Sequence, residues 1–263
     1  MSQSHNIDIL LNIMSKLRDP DGGCPWDLKQ DFASIVPHTL EEAYEVAECI
    51  EHEQFLELKD ELGDLLFQIV FYAQLGKEQQ LFNFDDVVAA ICDKLVRRHP
   101  HVFANEEVLS EEQLKANWEA QKAGERKQKT LVNILDDIPH ALPALSRAQK
   151  IQKRVASVGF DWPSITGALD KVEEEFQEVR EELETNAPDE KLAEELGDLM
   201  FALVNVIRHA GFNAEHVLRN ANNKFTRRFN QVELTISKSK PMKEATLEEM
   251  EAVWQRVKKL EKA

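Results

Sequence analysis

Apolar positions recur every three to four residues along most of this chain, and strict alternation holds nowhere for any length. Over residues 6–18, Ile9, Leu10, Ile13, Met14 and Leu17 define one helical face. The run Asp19-Pro20-Asp21-Gly22-Gly23-Cys24-Pro25 then reads as a turn, with Trp26 after it. Thr39, with Glu42 three residues on, has the pattern of an N-cap and capping box for a helix reaching about His52. A further helix is expected over about 55–78, with Leu58, Leu62, Leu65, Ile69 and Tyr72 as its stripe. Another is expected over about 84–99, stopped by His99-Pro100. No strand–helix alternation occurs, so the expected fold class is all-α.

The second half repeats the first. Glu61-Leu62-Gly63-Asp64-Leu65-Leu66-Phe67 returns 134 residues later as Glu195-Leu196-Gly197-Asp198-Leu199-Met200-Phe201. The acidic segment around Glu42 and Glu45 returns at Glu175 and Glu178. Trp26 is answered by Trp162, Trp118 and Lys122 by Trp254 and Lys258, and Lys94, Arg97 and Arg98 by Lys224, Arg227 and Arg228. So long a period excludes a solenoid and indicates tandem duplication of one helical domain. The expected division is residues 1–123, a polar and basic linker over 124–138, and a second domain over 139–263, opened by Pro139 and Pro143.

Residues three and four apart share a helix face, so each half presents two carboxylate pairs: Glu42 with Glu45 and Glu61 with Asp64, then Glu175 with Glu178 and Glu195 with Asp198. Two carboxylates about 4 Å apart repel by roughly 4 kcal/mol at an effective dielectric near 20. Facing pairs must therefore take up protons or a cation, and an all-oxygen set suits Mg²⁺ or Mn²⁺. A single such pair is more often a solvated helix face; duplicated facing pairs, each with glycine at the same place, favour metal. Gly63 and Gly197 each cost about 1 kcal/mol in a helix, which points to close helix approach beside the acidic pair. Lys, Arg and Arg at i, i+3 and i+4 share one face and suit phosphate oxygens. Lys171 and Lys191 lie four residues before Glu175 and Glu195, the spacing of an ordinary helical ion pair.

Composition narrows the partners. The 263 residues suffice for two domains, and 43% hydrophobic with 30% charged content fits globular helices. A formal net charge of −16 argues against nucleic acid or an anionic membrane as main partner. The apolar run from Leu65 to Leu75 is broken by Gln68 and Gln74, so no membrane span is expected. Cys24, Cys49 and Cys92 form no C-x-x-C pair, and no signal peptide opens the chain; a cytoplasmic protein with reduced thiols is expected.

E-x-x-E, then E-x-x-D, then K-x-x-R-R resembles the MazG family of nucleoside triphosphate pyrophosphohydrolases, and the tandem copies resemble its two-domain bacterial members. The resemblance covers nearly the whole chain. It implies a homodimer of helical bundles, Mg²⁺ dependence, and cleavage of (deoxy)nucleoside triphosphates to monophosphate and pyrophosphate. It makes Glu175, Glu178, Glu195 and Asp198 the metal ligands. It puts the nucleotide near Lys171 to Glu175, Lys191 to Glu194, Lys224, Arg227, Arg228 and Trp254. It also implies that the second domain is catalytic and the first structural or regulatory.

The carboxylates alone show no such asymmetry, so Glu42, Glu45, Glu61 and Asp64 with Lys94, Arg97 and Arg98 form a possible second site. His99-Pro100 after Arg98 is the visible departure, since Arg228 is followed by residues that can continue a helix. For water activation Glu174 is the first candidate and Glu194 the next. A di-iron bundle needs Glu-x-x-His, which none of the eight histidines supplies. The remaining alternative is a non-catalytic acidic helical protein that binds a basic partner.

Overall fold

The computed structural model describes residues 6–104, 110, 113, 117, 121, 124, 133–185 and 188–261. Trp118, Lys122 and most of the expected linker lie outside these residues. Among the described residues there are helices and no strands. The chain divides into two compact units, residues 1–122 and 123–263.

The first unit contains α1 (Ile7–Leu17), α2 (Phe32–Glu51), α3 (Leu58–Glu78), α4 (Phe84–Arg98) and the short α5 (Pro100–Phe103). Asn6 caps α1 by accepting from the Ile9 amide at 3.2 Å. Thr39 is not the cap of α2. Asp31 and Ser34 form a reciprocal capping box eight residues earlier, and Pro37 is accommodated inside the helix. The Thr39 hydroxyl instead bonds the Ile35 carbonyl at 3.1 Å and the Tyr72 hydroxyl at 3.0 Å, so Glu42 has no capping role. Met14, Ile35, Val70, Phe71 and Leu75 form the core between α1, α2 and α3.

That core also corrects the expected α3 stripe. The buried side carries Val70, Phe71 and Leu75, whereas Leu62 and Ile69 are exposed. Arg18, at the end of α1, is buried; it donates to the backbone oxygens of Asp27 and Gln30 and pairs with Glu78 at 2.6 Å.

The second unit contains α6 (Ala144–Ala156), α7 (Ile165–Thr185), α8 (Asp189–His209), α9 (Ala214–Ile236) and α10 (Leu247–Leu260). Residues 133–138 are tied to α6: Arg154 pairs with Asp137 at 2.5 Å and donates to the Ile134 carbonyl, and Ile138 is buried. Buried Gln149 fixes the turn from α8 to α9, donating to the Phe212 carbonyl at 2.7 Å and accepting from the Ala214 amide at 2.9 Å. Helices α7 and α8 pack along each other most extensively, and α9 pairs with α10 around Val232, Ile236 and Val253.

The two halves differ where His99-Pro100 predicts a stop. Helix α4 ends at Arg98 after 15 residues, and its counterpart α9 runs 23 residues to Ile236, well past Arg228. The expected close approach at the motif glycines is absent among the described residues. A methyl group added at Gly63 or Gly197 would meet nothing within 4 Å.

Candidate active site

Helix α7 brings Lys171, Glu174, Glu175 and Glu178 to one face, and α8 brings Glu195 and Asp198 to meet them. Carboxylate oxygens of Glu175, Glu195 and Asp198 lie within 4.8 Å of one another, and so do those of Glu174, Glu175 and Glu178. Glu175 belongs to both groups. It is 4% exposed, and its Oε2 is buried without a hydrogen-bond partner.

Such crowding changes the acids. Burial, then the charges of Glu175 and Glu195, push the Glu178 carboxyl above its ordinary range. Burial, then Glu175 and Asp198, do the same to Glu195. Lys171 partly neutralises the group, with its ammonium 2.6 Å from Glu175 and 2.7 Å from Glu174. Those two hydrogen bonds hold it charged well above the usual lysine range. The helical ion pair expected of Lys171 is therefore present, with Glu175 buried and Lys171 half-exposed. Lys191 behaves otherwise: it reaches back to Glu182 on α7 at 3.5 Å rather than to Glu195. Glu194 is exposed and joins neither carboxylate group.

A cavity of about 680 Å³ opens beside Lys171, Glu175 and Asp198. It extends over apolar wall from α6, α8 and the loop between α6 and α7, including Trp162 and Phe201. Gly167 lets Trp162 sit close, since a Cβ there would fall 2.9 Å from the indole. Asp161 on the same loop pairs with Arg208 at 2.5 Å and His209 at 3.1 Å. Burial opposes its ionisation, but these two partners hold its carboxyl below the usual range.

The basic triad on α9 is not brought to this cavity, because none of Lys224, Arg227 and Arg228 lines it. Arg227 and Arg228 instead share Glu261, at 3.0 and 2.7 Å. Trp254 is packed into the α9–α10 cluster, 5.2 Å from the Phe225 ring and under Arg228.

In the first unit, Glu42, Glu45 and Glu61 bring carboxylate oxygens within 4.8 Å of one another. Burial, then Asp64 and Glu45, raise the pKa of Glu42; burial, then Glu45 and Asp64, raise that of Glu61. The basic element here is Lys94, Arg97 and Arg98 near the end of α4. One difference was readable in the sequence and not read from it. The offset relating Glu42 to Glu175 also relates His38 to Lys171, and the offset relating Glu61 to Glu195 relates Glu57 to Lys191. Both lysines are missing from the first half. His38 stands 3.8 Å from Glu41 and packs edge-on against Trp26 at 5.8 Å.

Comparison with known proteins agrees with this duplicated arrangement. The MazG nucleotide pyrophosphohydrolase domain is matched twice, by residues 30–103 and by residues 164–233. The chain belongs to the MazG family. It is 54% identical over 259 residues to a protein of Escherichia coli K12 named nucleoside triphosphate pyrophosphohydrolase, covering 98% of each chain. It is 40% identical over 250 residues to the nucleoside triphosphate pyrophosphohydrolase/pyrophosphatase MazG of Thermotoga maritima, covering 95% of this chain and 94% of that one. A Mycolicibacterium smegmatis relative, also named nucleoside triphosphate pyrophosphohydrolase, is 38% identical over 61% of this chain and 49% of its own.

Proposed function

We propose that this chain hydrolyses (deoxy)nucleoside triphosphates to nucleoside monophosphate and pyrophosphate, and that its second unit holds the working site. The activity is the one for which its full-length MazG relatives are named. The observation that carries the site assignment is Glu175: a buried carboxylate with an unpartnered oxygen, in contact with Lys171, beside a cavity large enough for a nucleotide.

The acidic residues fit Mg²⁺, with Mn²⁺ as a substitute. The donors are all carboxylate oxygens, the choice of a hard cation, and burial followed by neighbouring carboxylate charge raises the pKa of Glu178 and Glu195. Glu175, Glu178, Glu195 and Asp198 would hold the ion. Bound there, Mg²⁺ would supply charge neutralisation at the α-phosphate and would lower the pKa of a water so that a nearby carboxylate can deprotonate it for attack.

The chain's own groups do the rest. Lys171, already charged at the cavity edge, is placed to offset charge on the phosphate chain, since phosphate oxygens and Glu175 compete for the same ammonium. Glu174 is held by Lys171 at 2.7 Å, and when phosphate draws that ammonium away it is freed to accept the proton of the attacking water. Glu194 is the weaker candidate because it stands apart from both carboxylate groups. Lys191, Lys224, Arg227, Arg228 and Trp254 keep a nucleotide-binding role only through family resemblance; their partners here are Glu182, Glu261 and the α10 cluster.

A homodimer belongs to the same reading. Leu196, Met200 and Leu203 lie exposed on α8 around Gly197, and a mid-helix glycine costing about 1 kcal/mol meets no neighbour there among the described residues. A second copy of the chain packed over that row accounts for both.

The test is turnover in ¹⁸O-labelled water with Mg²⁺ and a panel of the eight canonical (d)NTPs. The label should enter the monophosphate, with pyrophosphate as co-product. Label confined to inorganic phosphate, with diphosphate formed, overturns the reading.

A further inference from the structure

Arg227 and Arg228 converge from α9 on one carboxylate, that of Glu261 at the end of α10. Arg227 donates to Oε1 from Nε at 3.1 Å and from Nη2 at 3.0 Å, and Arg228 donates from Nε to Oε2 at 2.7 Å. Each carboxylate oxygen is thus engaged by a different guanidinium. Two positive charges meet one negative charge, and Lys224, exposed one turn before Arg228 on the same helix face, adds a third cation.

Glu261 is poorly placed for its own helix. It stands at the C-cap of α10, where the carbonyl ends concentrate negative charge and where Lys258 and Lys259 are the residues the helix calls for. The hydrogen bond from Arg228, and after it that from Arg227, nevertheless hold its carboxyl below the usual range against the effect of burial. Its position therefore answers to the arginines and not to α10. The duplication repeats the placement in sequence: Glu125 follows Trp118 by seven residues, as Glu261 follows Trp254. Glu125 itself lies outside the described residues.

We propose that Arg227 and Arg228 form a polyphosphate site that Glu261 keeps occupied, so that a ligand binds there by displacing the chain's own carboxylate. The proposal rests on the nucleoside triphosphate reading above and adds a regulatory device to it. A pyrophosphate group offers more oxygens and more charge than a carboxylate and can satisfy both guanidinium forks at once. The Arg227 side chain is 64% exposed, so such a group reaches the pair from solvent without unpacking the α9–α10 cluster. The group comes from two sources, the triphosphate tail of the substrate and released pyrophosphate. A mere staple between α9 and α10 would use the same bonds, but the two roles differ in sign. Losing a staple weakens the protein and its site, whereas losing a competitor tightens binding.

The experiment uses the full chain with Mg²⁺. It measures kcat and KM for the triphosphate turned over fastest, together with the inhibition constant of inorganic pyrophosphate. Glu261→Gln keeps the side-chain length and one acceptor oxygen and removes the charge. KM, the inhibition constant or both should fall at least about threefold, the scale of an exposed ion pair, while kcat changes by less than about twofold. A fall in KM identifies the substrate's tail as the ligand; a fall confined to the inhibition constant identifies released pyrophosphate. Glu249→Gln removes the same charge from the same helix, where it pairs with Lys240, and should leave both constants unchanged. Constants unchanged or raised in Glu261→Gln, or an equal fall in Glu249→Gln, overturn the proposal.

If the wild-type chain releases no pyrophosphate from any triphosphate, the proposed activity fails. Calorimetry with inorganic pyrophosphate without metal then decides the role of Glu261 alone. Binding that Glu261→Gln tightens at least about threefold upholds it; no binding, or binding left unchanged or weakened, overturns it.

Discussion

Glu175 and Glu78 show two opposite ways in which one carboxylate shapes this protein. Glu175 gathers negative charge: it belongs to both second-unit carboxylate groups and, after burial, is the next cause that raises the pKa of Glu178 and Glu195. Removing one charge from that crowd relieves repulsion, so Glu178→Gln or Asp198→Asn should leave the melting temperature equal or higher. Mg²⁺-dependent pyrophosphate release should fall by roughly 10²-fold or more. Near-wild-type turnover in both variants would remove the cluster from the mechanism.

Glu78 works the other way, because hydrogen bonds from buried Arg18 hold its carboxyl below the usual range. A depressed carboxylate contributes stability above its unfolded-state pKa and loses it as pH falls through the folded value. Glu78→Gln should therefore destabilise the first unit by about 1–2 kcal/mol near pH 7, a figure reduced because Glu78 is one-third exposed. The gap in chemical denaturation between variant and wild type should close as the pH is lowered past that value. A gap independent of pH would mean that the pair contributes by shape alone.

At the scale of elements, the halves are the same helices with different endings and different cations. The His99-Pro100 stop shortens α4 against α9, and His38 and Glu57 replace the two lysines. Both differences predict that Glu42→Gln with Glu45→Gln leaves most of the activity, whereas Glu175→Gln with Glu178→Gln removes it. A first pair that halves the rate or worse without unfolding the protein would make both halves enzymes.

What the sequence discloses follows the same division. Helix positions, the duplication and the facing carboxylates are local or periodic, so they can be read from spacing. Thr39 was misread because its capping pattern is real but a stronger reciprocal box lies at Asp31 and Ser34. Gln152 and Asn205, which line the cavity, left no signal: neutral amides far apart in sequence become neighbours only when α6 and α8 bring them together. The partners of Arg227 and Arg228 were equally hidden, since Glu261 lies more than thirty residues away in sequence.

For the whole molecule, the exposed row on α8 sets the expected assembly. Met200 is 54% exposed, and Met200→Asp should give a monomer in sedimentation if copies pair over Gly197. A dimer that survives this change at micromolar concentration places the interface elsewhere.

Lys171 has a further consequence for how the acidic site fills. With an ammonium 2.6 Å from Glu175, the second-unit cluster is already partly charge-compensated from within. A divalent ion bound there, as proposed above, would enter by exchange against that tethered ammonium rather than by simple capture. Exchange would set a threshold: occupancy would rise only at free-ion levels that overcome the lysine, and monovalent ions, attracted half as strongly, would compete poorly. The first unit has His38 in that position, where the second has a lysine. A Mn²⁺ titration followed by paramagnetic relaxation should therefore load in two stages, the first-unit cluster before the second-unit cluster, and Lys171→Met should merge them. A protein built this way would keep the proposed working site the harder of the two to load and leave the first-unit cluster as the stronger sink.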